Sequence, residues 1–209
     1  MTTLKSIRWN YALHNRQFRT KVIIASILLL SVLLIFPSFF AFIEKREGVV
    51  LNDWLLPYIP AQNFSILIFI IMWSVFILVI VRSIQQPTFF LTVLFSVLLL
   101  QLLRIVTIYF VVLNPPEGLI ALKDPLTSLA YGGKGIFITK DLFFSGHTSN
   151  LFMVYLCLQK KKDKLFVLLS TILVAILVLV QHIHYSIDVI GAFIFTYFLV
   201  RGVKKMTIF

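Results

Sequence analysis

His184 and Asp188 are four residues apart, a spacing that puts both on one helix face a turn from each other. A carboxylate so placed accepts a hydrogen bond from one imidazole nitrogen and leaves the other as a free base or nucleophile. The same spacing suits a metal, but two ligands are too few for a zinc site. His147 follows Ser145-Gly146 where an apolar stretch begins. Backbone N–H groups at a helix start are unpaired and attract anions. Ser145 can cap them or donate to a phosphate oxygen, and Gly146 permits close backbone approach. Arg104 lies inside another apolar run. A buried guanidinium needs an anion: it can grip phosphate bidentately, or pair with Asp141 or Asp188. Two histidines, an aspartate to orient one of them, and an arginine suit phosphoryl transfer through a covalent phosphohistidine, with no metal and no cofactor required.

These residues must be positioned by elements that belong in lipid. The chain has 209 residues, of which 60% are hydrophobic and 13% charged. Such a composition excludes an ordinary soluble domain and predicts an all-α, polytopic membrane bundle. Six spans are expected, at about 22–43, 64–82, 88–113, 142–159, 165–181 and 183–200, with Pro37 kinking the first. They form one domain over 22–209, behind a basic cytoplasmic juxtamembrane segment, 1–21, that carries Lys5, Arg8, Arg16, Arg19 and Lys21 without an acid. Charge alternates from loop to loop. Segments 1–21, 82–87, 160–164 and 201–209 hold 13 basic residues against 5 in the opposite loops. Both termini are therefore expected in the cytoplasm. The same alternation explains the net charge of +11 and excludes nucleic acid as a partner.

Two outer loops are long. Residues 44–63 hold Asp53, Trp54, Pro57, Tyr58 and Pro60. Residues 114–141 open on Asn114-Pro115-Pro116, which stops a helix, and continue through Asp124-Pro125 and Tyr131-Gly132-Gly133 as a cap over the outer face. The spans are almost free of ionisable groups; the exceptions are Arg104, His147, His182, His184 and Asp188, all toward outer ends, which brings them to one level of the membrane. His182 is two residues from His184, points to another face, and reads as interfacial. Cys157 is the sole cysteine, a small core residue that forms no internal disulfide.

The set resembles the type-2 phosphatidic acid phosphatase superfamily, and within it the sphingomyelin synthase-like branch. The resemblance rests on Asp141-x5-His147-Thr148, on His184-Tyr185-Ser186-Ile187-Asp188-Val189, and on Arg104-x2-Thr107-x-Tyr109-x3-Leu113-x2-Pro116. It covers roughly residues 100–200. Thr139-Lys140 stand where the synthases have Cys-Gly, and the Lys-x6-Arg-Pro phosphate grip of ordinary lipid phosphatases is not found. The resemblance implies a ping-pong phosphotransferase at the outer leaflet of the plasma membrane (the inner membrane of a bacterium). His184, oriented by Asp188, attacks the lipid phosphorus. His147 protonates the departing alcohol, then serves as base for a lipid alcohol or, in a phosphatase of the same fold, for water. Arg104, Ser145, Gly146 and Thr148 stabilise the phosphoryl oxygens. Asp141 and Tyr109 complete the substrate-binding set. A channel, transporter or inactive scaffold is the reading from another class.

Overall fold

The computed structural model describes residues 9–122 and 138–207. Lys5 and Arg8 of the basic segment, and the Asp124-Pro125 and Tyr131-Gly132-Gly133 turns of the cap, lie outside the described residues. Among the described residues there are seven α-helices and no strand. They are α1 (Trp9–His14), α2 (Arg16–Glu44), α3 (Ser65–Gln85), α4 (Pro87–Phe110), α5 (Gly146–Cys157), α6 (Lys161–Val180) and α7 (Ser186–Met206). Among the described residues a 3-10 turn, Leu56–Tyr58, lies between α2 and α3, in the loop that the charge pattern leads one to expect as the first outer loop.

Local chemistry sets the ends of these helices. Asn15 caps α2 by accepting from the amides of Gln17 (2.8 Å) and Phe18 (3.3 Å). The helix thus starts inside the segment that charge alone assigned to the cytoplasm, and it runs on through Pro37. Gln86 is at once the end of α3 and the cap of α4, and Pro87 occupies the first position of α4, where a missing N–H costs nothing. The third span was expected to reach residue 113. It ends at Phe110 because Val111–Leu113 turns to run beside the first outer loop, with a bridge between Val49 and Leu113.

Five helices, α2, α3, α4, α6 and α7, are long and apolar enough to cross a membrane. The fourth expected span, 142–159, is instead the 12-residue helix α5, about 18 Å long against a hydrocarbon core of about 30 Å. It is preceded by irregular backbone, which is tolerated at depth only where protein encloses it. Leu142, Phe144 and Ser145 are all buried. Around α5, Leu151, Met153 and Val154 pack with Phe144, Val174, Val178 and Ala192 from the neighbouring segments. In contrast, α2 holds to α4 by one stripe, Ala25, Val32, Phe36 and Phe40 against Leu98 and Ile108. Its other face leaves Ile27, Leu30 and Leu34 exposed, the surface a bilayer would cover. At the opposite end of the bundle from the long loops, Arg82 of α3 meets Asp163 of α6 in a two-pronged pair (2.6 and 3.0 Å). A carboxylate in the first turn of α6 also suits the positive end of that helix.

Candidate active site

Ser145 starts the site. Its extended backbone (φ −60°, ψ 116°) and side chain cap α5, with Oγ accepting from the Thr148 amide at 3.3 Å. His147 is then the second residue of α5, half-buried, above a fully buried Ser145 and Thr148. His184 is 3% exposed and Asp188 is fully buried. The His184 Nδ1 and the Asp188 Oδ2 are 3.3 Å apart.

That pair is formed differently from what spacing suggested. Helix α7 begins only at Ser186, so His184 lies in the turn before it and shares no helix face with Asp188. Asp188 is the third residue of α7 and reaches back over the helix start, where its Oδ2 also accepts from the Tyr185 amide at 3.0 Å. Its Oδ1 accepts from the Phe143 amide at 3.2 Å, and its main-chain carbonyl accepts from the Ser145 amide at 3.0 Å. One aspartate therefore orients His184 and fastens the approach to α5 onto α7. Phe143 has φ 90°, a conformation costly for a side chain of this size and found where the surroundings over-determine it. The result is that the His147 and His184 rings stand 6.0 Å apart, centroid to centroid, at 62°.

Arg104 lies on the same side of α4, buried, but is differently employed from the expected phosphate grip. Its Nη1 donates to Gln101 Oε1 at 2.9 Å, and its Nη2 is paired with Asp141. Each terminal nitrogen thus spends one of its N–H groups on protein, which leaves three of the five guanidinium donors for an anion. The guanidinium lies flat against Gly146, where a Cβ would stand 2.7 Å from Arg104 Cζ. Gly146 does permit close approach, and what approaches is the arginine. Among the described residues, Arg104 Nε and Thr148 Oγ1 are buried without a hydrogen-bond partner. These two groups and the first amides of α5 are donors available to an anion. Tyr109 is not brought to this cluster. Half of it is exposed, its ring stacks on Phe42, and Arg46 sits 5.3 Å over its face.

His182 is buried in protein rather than interfacial. It has φ 54° and ends α6 in the hydrogen-bond pattern of a Schellman turn, with His182 N bonding Leu179 O and Ile183 N bonding Val178 O. Its ring nitrogens face the carbonyls of Glu117 and Ile59, each at 2.9 Å. A cavity of about 540 Å³ lies beside it, lined by Asp53, Pro57, Glu117, His182 and Tyr185 but by neither His147 nor His184. Several positioning residues escaped the sequence. Gln101 reads as one more polar residue in an apolar run. Gln181, whose amide holds Phe64 N, Ser65 Oγ and Ile120 O, reads as no more than the last residue of the span 165–181. Among the described residues no cluster of three His, Cys, Asp or Glu side chains could hold a metal ion.

Apolar helices of spanning length, with two histidines and an aspartate enclosed at one end, define a membrane protein with a paired-histidine centre. Residues 140–206 match the family described as PAP2 superfamily C-terminal. That similarity supports the type-2 phosphatidic acid phosphatase superfamily of lipid phosphatases and phosphotransferases, and the matched stretch contains His147, His184 and Asp188 but not Arg104. No curated protein and no solved structure matches the chain.

Proposed function

We propose that the protein moves a phosphoryl head group between lipids through a phosphohistidine on His184, at the outer leaflet. The observation that carries this reading is the approach of two histidines from separate elements to 6.0 Å, with one of them hydrogen-bonded to a buried aspartate. With its Nδ1–H donating a hydrogen bond to Asp188, His184 keeps the lone pair on Nε2. That pair attacks phosphorus, the bond from phosphorus to the lipid oxygen breaks, and His147 as imidazolium gives that oxygen its proton. Asp188 offsets the positive charge that appears on the phosphorylated ring. Neutral His147 then takes the proton of the acceptor hydroxyl as its oxygen attacks phosphorus, the P–N bond breaks and His184 is restored. Arg104 Nε, Thr148 Oγ1 and the amides of α5 are the donors aimed at the phosphoryl oxygens.

A lipid alcohol as acceptor is supported by the synthase-like motifs and by the missing phosphatase grip; water is the alternative on the same machinery. Both termini on the cytoplasmic side, and hence an outward-facing site, are supported by the loop charges. The test is to incubate purified protein briefly with phosphorus-labelled phospholipid, with and without diacylglycerol or ceramide. An acid-labile, base-stable label on residue 184 and a new labelled lipid are expected. Label released only as phosphate or phosphobase makes water the acceptor. Full turnover by His184→Ala and His147→Ala variants would falsify the enzymatic reading altogether.

A further inference from the structure

The two histidine-bearing segments are gripped from outside by one stretch of chain, the end of α2 and the loop that follows it. Glu44, the last residue of α2, takes three hydrogen bonds from the irregular segment leading to α5: the Thr139 amide at 2.6 Å, the Thr139 hydroxyl at 2.9 Å and the Lys140 amide at 2.8 Å. Lys140 answers by donating its Nζ to the Arg46 carbonyl. Thr139 and Lys140 are where the chain departs from the motif it otherwise resembles, and Asp141, the partner of Arg104, comes next. Nine residues beyond Glu44, Asp53 takes the first amide of α7, Ser186 N, at 2.6 Å, and the Ser186 hydroxyl at 2.9 Å. Its Oδ1 also accepts from the amides of Leu55 (2.8 Å) and Leu56 (3.1 Å), which fixes the carboxylate in its own loop. Ser186 lies between His184 and Asp188.

We propose that Glu44 and Asp53 are positioning residues, Glu44 for His147 and Asp53 for the His184–Asp188 pair, so that this outer segment sets the separation of the two rings. The inference deepens the phosphotransfer reading and rests on it for its kinetic part only. Neither carboxylate touches the reacting atoms. Each binds main-chain N–H groups two to eight residues from a histidine, and a carboxylate at a helix start is favourably placed against the N-terminal partial charge of α7. The alternative is a general brace of the outer face. Asn114 supplies the contrast: its side chain bonds Gly48 N (3.2 Å) and Gly48 O (2.8 Å) in the same outer segment, while its link to the His184 segment, a carbonyl accepting from the Tyr185 hydroxyl at 2.9 Å, is main-chain and is kept in an alanine variant.

The experiment compares Glu44→Gln, Asp53→Asn and Asn114→Ala in the full chain, in lipid nanodiscs. The first readout is kcat against KM. Asp53→Asn and Glu44→Gln are expected to lower kcat by about tenfold or more with KM unchanged, since small misplacements of reacting groups cost rate rather than binding; Asn114→Ala is expected to keep kcat. The second needs no turnover. In substrate-free protein labelled with nitrogen-15 histidine, Asp53→Asn shifts the ring signals of His184, Glu44→Gln those of His147, and Asn114→Ala neither. Equal effects of all three variants, or unmoved ring signals in the two carboxylate variants, overturn the proposal. Shifted signals in the two carboxylate variants, together with a wild-type protein that turns over no lipid, uphold the positioning role and refute the phosphotransfer reading. If Asp53→Asn does not fold, Ser186→Ala, which removes one of the four bonds to Asp53, is expected to move the His184 signal less and in the same direction.

Discussion

Arg104 and Gly146 restrict each other. The guanidinium occupies the space of a Cβ at position 146, and it is held there by Gln101 and Asp141 rather than by a flexible tip in solvent. Gly146→Ala is therefore expected to push the arginine off Asp141, lowering the thermal unfolding temperature and the rate together. Arg104→Lys, with its slimmer head, should recover part of the temperature in the double variant, and calorimetry in detergent measures the coupling. Asp188→Asn is a harsher change, because Asp188 accepts from His184, Tyr185 and Phe143 at once. We expect at least about a hundredfold loss of phosphohistidine formation in a quench-flow trap. At this scale the meeting of His147, His184 and Asp188 was legible in the sequence, since histidine and aspartate seldom enter apolar runs without a partner. The reason for the His184–Asp188 contact was not. A spacing of four is satisfied equally by a helix face and by a third-position carboxylate reaching back over a helix start, and the sequence does not mark where α7 begins.

Among the elements, the turn from α6 to α7 shows how a loop aims a side chain. His182 occupies the left-handed position that glycine usually takes, and its ring is held between two carbonyls. His182→Ala keeps the conformational cost and loses both contacts. His182→Gly loses the contacts alone, and should be the more stable of the two by about 1 kcal/mol in denaturant unfolding. The first outer loop has a pH limit of its own. Burial would raise the Asp53 carboxyl, but hydrogen bonds from the amides of Leu55, Ser186 and Leu56 and from the Ser186 hydroxyl outweigh it and hold the group below its ordinary value. A depressed carboxyl stabilises the folded state above its unfolded value and ceases to do so as pH falls through the folded one. The Asp53 contribution should thus be present at neutral pH and lost on acidification below about pH 4. Asp53→Asn should flatten that limb of a stability–pH curve. The outer loops were the least legible part of the sequence. Val111–Leu113 is as apolar as the helix before it, and only its pairing beside Val49 shows that it leaves α4.

For the whole molecule, hydropathy located the long helices with ends displaced by up to six residues, because lipid demands about 20 apolar residues and little else. The same rule misjudged α5, whose apolar run is long while its helix is short, since protein rather than lipid surrounds it. Orientation has a direct check. Cys157 is the sole cysteine and is buried, so single cysteines can be introduced without a competing surface thiol. An impermeant thiol reagent added to intact cells is expected to label positions 45–55 and 116–118 and to spare 160–164.

The depth of the cluster sets a further condition on the reaction. Arg104 lies six residues before the end of α4 at Phe110, about 9 Å below that helix end. A phosphate brought to Arg104 and to the start of α5 must leave the head-group plane and draw its lipid inward by a comparable distance. A thin bilayer lowers the head groups toward that level and a thick one lifts them away from it. Under the proposed function, turnover should therefore rise as the acyl chains of the host bilayer are shortened, with the protein acting in effect as a gauge of membrane thickness.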